Sequence, residues 1–274
     1  MSMKSDDAGK AALEHLGFSV RKLSEVNEQK RADFIATHGG ITLLVECKLR
    51  KDDPAEKKRM DAVLAEGRVY ESKHELGPHN SHSKNIRQAF DQLMQEQSEE
   101  HDYKVLLYVA DCENASAVCE QILDTLYGAT SVFLPDGGVT RELPCFFYHP
   151  SEFFNANGID AAIVGYQYEG NWDLVLCLNS FSDRYLDLRE SALEQLFQGS
   201  AVDPLEEEAC GTALVVDSAA PRLEGKAKVF ARHFSSMDPV LRFLESKYEF
   251  RKNSLVQGNM KTPLFVVRVA KDAD

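Results

Sequence analysis

The stretch RADFIATHGGITLLVECKLR, Arg31 to Arg50, decides the reading of this chain. Arg31–His38 and Ile41–Lys48 are two strand-like runs separated by Gly39-Gly40. A two-residue hairpin turn of type I′ needs positive φ at both central positions, which two glycines supply without strain. Such a turn pairs His38 with Ile41. Counting back along both strands sets Asp33 opposite Glu46 and Arg31 opposite Lys48. Side chains alternate along a strand. One face then carries Arg31, Asp33, Ile35, Leu44, Glu46 and Lys48, and the other carries Ala32, Phe34, Ala36, Leu43, Val45 and Cys47. The second set is wholly apolar and reads as a core face. Two carboxylates directly opposite each other sit about 5 Å apart at Cβ and repel, so stability alone does not select this pairing. A divalent cation resolves it, because Mg²⁺ takes carboxylate oxygens together with waters and substrate phosphate. Lys48 points to the same side, where it can orient or deprotonate a water or neutralise charge building on a phosphate.

Working outward, a helix is expected from Asp6 to Leu16, capped by Asp6 or Asp7 and ended by Gly17, followed by a strand over Phe18–Leu23. Beyond Lys48 a charged helix is expected from Pro54 to about Tyr70, with proline in its first turn. LGPHNSHSKN (Leu76–Asn85) reads as a loop, Ile86–Gln97 as a helix, KVLLYVA (Lys104–Ala110) as a strand covered on both faces, and Ala115–Tyr127 as a helix ended by Gly128. PDGG (Pro135–Gly138) suggests a boundary between a domain of residues 1–135 and a mixed α/β domain of residues 136–274. In the second part, strands are expected at Cys145–His149, Ala161–Tyr168, Asp173–Asn179, Thr212–Asp217, Lys228–His233 and Leu264–Val269. Gly170-Asn171 marks a hairpin, and helices are expected at Arg189–Gln198 and Pro239–Tyr248. The second part carries no catalytic motif, and its role reads as recognition or assembly.

Length and composition set limits. The 274 residues are 43% hydrophobic and 27% charged, which excludes wholesale disorder and fibrous repeats. No apolar run approaches the ~18 residues of a transmembrane helix, and MSMKSDDAGK has no signal-peptide character. Six cysteines without C-x-x-C or zinc spacing read as free thiols in a reducing cytoplasm. A net charge of −13 argues against a protein that coats nucleic acid nonspecifically, although Lys48–Arg59 holds six bases against three acids.

Asp33, then twelve residues, then Glu46-Cys47-Lys48 resembles the D…E-x-K signature of the PD-(D/E)-x-K nuclease superfamily, which has a restriction-endonuclease-like fold. The first helix ends in LGF (Leu16–Phe18), as in Holliday-junction resolvase-like and Mrr-like members. The resemblance spans roughly residues 6 to 110, with Ala32 in place of the eponymous proline. It implies an αβββαβ core with a mixed central sheet, Mg²⁺ or Mn²⁺ as cofactor, and Asp33, Glu46 and the Cys47 backbone carbonyl as metal ligands. Lys48 would be the catalytic lysine. A further acid from the first helix, Asp6, Asp7 or Glu14, would join the site. Gln88 and Gln92 lie where several branches carry glutamines on the helix after the motif. Arg31, Lys51, Lys57, Lys58 and Arg59 are candidates for substrate phosphates.

Blander readings stand beside this one. The hairpin's polar face can be a solvated charged surface. His79 and His82 make a loop His-x-x-His that is weak as a metal site, and with His74 they suit a polar loop near the site. Glu206–Glu208 reads as solvated surface and Trp172 as packing. The expectation is a metal-dependent phosphodiesterase acting on nucleic acid, DNA more than RNA, in restriction, repair or phage defence. A protein partner or a homodimer is admitted, and a membrane is not. The alternative is a catalytically silent nuclease-fold module that binds nucleic acid or protein.

Overall fold

The computed structural model describes residues 4–23, 31–75, 77–96, 99–136, 138–217, 220–221, 238–258 and 261–266. The architecture is mixed α/β. A seven-stranded sheet has the order β1-β2-β3-β5-β8-β9-β10. The helix α1 (Ser5–His15) precedes β1 (Ser19–Lys22), β2 (Phe34–His38) and β3 (Ile41–Lys51), which form an antiparallel meander. The chain then passes through α2 (Pro54–Ala65), β4 (Tyr70–Glu75) and α3 (Asn80–Gln95) and returns as β5 (Tyr103–Asp111), parallel to β3. After α4 (Ala115–Tyr127), a hairpin of β6 (Thr130–Asp136) and β7 (Val139–Phe146), and the short α5 (Glu152–Asn155), the strand β8 (Ala161–Tyr168) joins β5 in parallel. It pairs antiparallel with β9 (Asn171–Leu178), and β10 (Ala201–Val202) lies parallel to β9 at the sheet's edge. Pro135 and Asp136 are the end of β6, paired with Thr140 and Val139 of β7, and strands from both sides of residues 135 and 136 share the seven-stranded sheet.

Helices cover both faces of this sheet. On one side Ala8, Ala12 and Leu13 of α1 pack with Phe34, Ala36, Leu43, Val45 and Cys47. The helix comes close because Gly9 faces β3: a Cβ there would stand 2.7 Å from the Cys47 sulfur. On the same side lie Tyr185 and Leu188 of α6 (Tyr185–Arg189) and Leu193 of α7 (Ala192–Leu196). On the other side Ile86, Ala89 and Leu93 of α3 and Ile122 and Leu126 of α4 pack over Ile35, Leu44, Leu106 and Tyr108. β5 is covered on both faces, as its unbroken apolar run requires. Beyond α4 lies a four-stranded sheet, β11-β7-β6-β12, with β11 at Leu214–Val215 and β12 at Val256–Gln257. The short α8 (Pro204–Ala209) leads toward β11, and α9 (Pro239–Lys247) packs against this sheet through Val240, Leu241 and Leu244.

The central hairpin has the expected register, His38↔Ile41 through Phe34↔Val45, with Gly39 at φ 57° and Gly40 at φ 83°. Other expectations are corrected. β2 starts at Phe34 rather than Arg31, so Ala32 escapes the alternation and packs on the α3 side. The helix from Pro54 stops at Ala65, where Gly67 takes φ 70°. Tyr70–Glu75 is instead a strand, paired antiparallel with β13 (Lys261–Val266). The stretch expected as a loop to Asn85 turns helical at Asn80, because the His79 side chain caps α3 by accepting from the Ser81 N–H at 3.3 Å. The Glu169-Gly170 pair, not Gly170-Asn171, turns β8 into β9. Arg189–Gln198 is broken into α6 and α7 at Glu190-Ser191. β7 ends before Phe147, which sits at φ 60°. β11 is only two residues long, and β13 starts at Lys261 rather than Leu264, while residues 267–269 of the expected strand lie outside the described residues. The strand expected at Lys228–His233 lies outside the described residues. All six cysteines are free thiols. Trp172 is partly buried against the core. Glu206 and Glu208 are not simply solvated: Glu206 pairs with Arg189 at 3.0 Å and Glu208 with Lys247 at 2.8 Å.

Candidate active site

The hairpin's polar face is closed by α3. Glu46 is 2% exposed, and Gln92 and Glu96 of the α3 region are buried as well. The solvated-surface reading therefore fails for these residues. Because β2 begins only at Phe34, the Cys47 N–H has no ladder partner from that strand. It donates instead to Asp33 Oδ2 at 2.8 Å, which fixes the Asp33 carboxylate beside Glu46. Lys48 Nζ donates to Glu46 Oε1 at 2.6 Å and to Gln92 Oε1 at 2.7 Å. Gln92 Nε2 donates in turn to the Arg31 carbonyl at 3.3 Å. The lysine amine is thus held from both sides, by the strand that carries it and by the helix above.

The electrostatics follow from this enclosure. Burial, with the neighbouring Asp33 charge second, pushes the Glu46 carboxyl up to about 8 despite the adjacent Lys48. Asp33 is also raised, first by burial; the Cys47 N–H opposes that, while Asp6 adds to it. Burial pushes the Cys47 thiol up to about 12, so it is an inert core group. Glu46 Oε2 is buried and receives no hydrogen bond among the described residues, and the group that meets the Glu46 carboxyl besides Lys48 is the second carboxyl, Asp33. An orphaned carboxylate oxygen next to a second carboxylate is the arrangement a hard cation satisfies. Asp33, Glu46 and the Cys47 carbonyl fit Mg²⁺ or Mn²⁺, which need only one or two carboxylates when waters and substrate phosphate complete the shell. Among the described residues no group of three or more His, Cys, Asp or Glu side chains gathers to hold a metal, so a third protein donor here would be the Cys47 backbone carbonyl.

The other sequence-derived candidates separate clearly. Of the three helix acids, Asp6 acts electrostatically on both Asp33 and Cys47, and its carboxylate is paired with Lys22. Glu14 is exposed and paired with Lys10 at 3.7 Å, and Asp7 is exposed. Arg31 is committed to Glu96 through two bonds of 2.6 and 2.9 Å, so it braces the site's rim and is not a free phosphate ligand. Gln88 is half-buried one turn before Gln92. Lys51 is exposed at the end of β3, and Lys57, Lys58 and Arg59 are exposed on α2, the helix that directly follows.

Sequence reading missed several participants. Glu96 lies four residues after Gln92 on the same helical side, and that spacing was its signal. Ser5 approaches the Cys47 carbonyl with its hydroxyl at 3.5 Å, and nothing in the sequence marks it. Beyond Lys48, the Tyr108 hydroxyl receives Asn85 Nδ2 at 2.8 Å and lies 3.0 Å from His82 Nδ1. The loop-histidine reading thus gives way to a buried histidine on α3, with His79 as the cap. The His74 side chain lies outside the described residues.

Burial, with His79 and Arg50 next, pushes the buried His82 down to about 4. A histidine held low binds fewer protons folded than unfolded. Its contribution is whole above about pH 6.5 and is lost as pH falls toward 4. At pH 4.5 the wild type is expected to lose about 3 kcal/mol of stability relative to His82→Gln, compared with the same pair at pH 7.5. Urea midpoints of both proteins at the two pH values check this. Parallel acid curves would show that His82 is not the buried neutral group described here.

Compared with known proteins, the chain matches no family model, no curated sequence and no solved structure.

Proposed function

We propose that the chain is a divalent-metal-dependent phosphodiesterase acting on nucleic acid, DNA more readily than RNA, with Asp33, Glu46 and Lys48 at its centre. The observation that carries this reading is the enclosed trio itself, with Glu46 buried and Asp33 and Lys48 half-buried. Two carboxyls are forced together, one just before a strand and one in the middle of the next, one has an oxygen that receives no hydrogen bond among the described residues, and an amine is clamped beside them. Such a cluster costs the fold stability, because two carboxyls in a desolvated site share the single counter-charge of Lys48. The order α1-β1-β2-β3-α3-β5, with α2 and β4 inserted, supports assignment to the restriction-endonuclease-like fold.

A bound Mg²⁺ or Mn²⁺ would supply Lewis-acid polarisation of the phosphate and a coordinated water that gives up its proton more easily than bulk water does. Asp33, Glu46 and the Cys47 carbonyl are the groups that would hold the cation. Lys48 stands where its positive charge meets charge building on the phosphate oxygens, and its two acceptors fix the direction of its protons. Gln92 acts through Lys48 and is a positioning residue. Arg31 and Glu96 brace the helix that holds Gln92. Lys51, Lys57, Lys58 and Arg59 extend a basic edge for the strand backbone. No described helix is long and apolar enough to cross a membrane.

End-labelled DNA duplex, single-stranded DNA and RNA incubated with Mn²⁺ or EDTA test this. Cation-dependent cleavage is expected from the wild type and absent from Asp33→Asn, with both proteins equally folded by circular dichroism. Cleavage that survives in Asp33→Asn would place the chemistry elsewhere. Cleavage by neither protein would favour the binding-module alternative.

A further inference from the structure

Three of the described arginines are half-buried: Arg31, Arg50 and Arg189. Arg31 holds Glu96, and Arg189 holds Asp203 at 2.7 Å and Glu206 at 3.0 Å. Arg50 has neither a carboxylate nor a hydrogen-bond acceptor among the described residues. In a chain with net charge −13, carboxylates are not scarce, so a partly desolvated guanidinium without one is an exception. The carboxylate two residues on, Asp52, is taken up by the Glu113 N–H at 3.2 Å.

Its position gives the exception meaning. Alternation along β3 puts Arg50 on the same face as Glu46 and Lys48. At about 3.3 Å per residue it stands about 7 Å beyond Lys48, a separation of the order of the step between neighbouring phosphates in a strand. Lys48 is level with Tyr108 on β5 and Arg50 with Ala110. The Arg50 charge acts on Tyr108 and on His82, and both offer neutral polar groups rather than a counter-ion. The guanidinium's fork of donors suits two oxygens of one phosphate.

We propose that Arg50 is a phosphate-binding residue that receives the backbone phosphodiester next to the one held at Asp33, Glu46 and Lys48. The proposal rests on the phosphodiesterase reading for its substrate, but its test reads binding rather than chemistry. A fluorescein-labelled DNA duplex is titrated with wild type, Arg50→Gln, Arg50→Lys and a charge-matched control, Lys10→Gln, on the exposed face of α1. Anisotropy is read in EDTA over a series of KCl concentrations.

Arg50→Gln is expected to weaken binding about tenfold. It should also flatten the salt slope by about one. Arg50→Lys should restore the slope with part of the affinity, which shows that the fold is intact, and Lys10→Gln should match the wild type. Arg50→Gln binding like the wild type, or a wild type that binds no duplex, overturns the proposal. So does displacement of the duplex by inorganic phosphate at constant ionic strength, which would mark a site for a small anion. Cleavage by the wild type with no effect of Arg50→Gln sinks this proposal alone. An effect on binding with no cleavage under any cation sinks the phosphodiesterase reading alone.

Discussion

Glu46→Gln is expected to melt above the wild type at about pH 9 in EDTA and to cleave nothing. The stability half of this expectation comes from burial. Glu46 is 2% exposed and its carboxyl is raised to about 8. A carboxyl held above its ordinary value binds more protons folded than unfolded. Its cost is absent below about pH 4.5, grows as pH rises toward 8 and is constant above that. The full cost is on the order of 3–5 kcal/mol. Glutamine presents nearly the shape of the protonated acid and removes that cost, so the melting points should coincide near pH 5. They should part by roughly 5–10 °C at high pH for a chain of this size. His82 works in the opposite direction at the acid end, so the difference between variant and wild type, not either curve alone, isolates Glu46. The activity half comes from the loss of a carboxylate that the cation needs. A variant that gains stability and loses function is the signature of a strained site kept for chemistry. Equal melting points at every pH would show that Glu46 ionises freely.

Lys48→Met carries the second large effect. Methionine keeps most of the side chain's length and loses its charge and both hydrogen bonds, to Glu46 and Gln92. Electrostatic stabilisation by one preorganised donor is worth about 10²–10³-fold in rate, and loss of an acid–base role up to about 10⁴-fold. A fall in kcat of about 10³-fold is therefore expected, with Mn²⁺ binding retained because the amine is not a ligand. Gln92→Leu, which frees Lys48 without removing it, should cost less. If Lys48→Met and Gln92→Leu fell equally, the helix position and not the amine would be the active element.

The hairpin was legible because its signals are local. Two glycines fix the turn, the turn fixes the register, and strict alternation from Phe34 to Lys48 sorts core from site. Asp33 and Glu46 could be paired on paper for that reason. What failed depends on partners distant in sequence. Tyr70–Glu75 is a strand only because residues 261–266 lie beside it. α3 begins at Asn80 because a histidine, rather than the usual serine or aspartate, caps it. The covering of the polar face by α3 could not be seen from the hairpin. That covering turned Arg31 from a substrate contact into the partner of Glu96. Arg50 lay in plain view on the alternation, but its lack of an ion-pair partner among the described residues is a fact of packing.

The central claim is that the Asp33, Glu46 and Lys48 cluster hydrolyses phosphodiesters with a divalent cation. The most direct measurement incubates supercoiled plasmid with purified wild type and Lys48→Met in parallel, with Mg²⁺, Mn²⁺ or EDTA. Nicked or linear product from the wild type with a cation, none in EDTA and almost none from Lys48→Met is the predicted result. Equal product from both proteins, or none from a folded wild type on plasmid, linear duplex, single-stranded DNA and RNA alike, would contradict it.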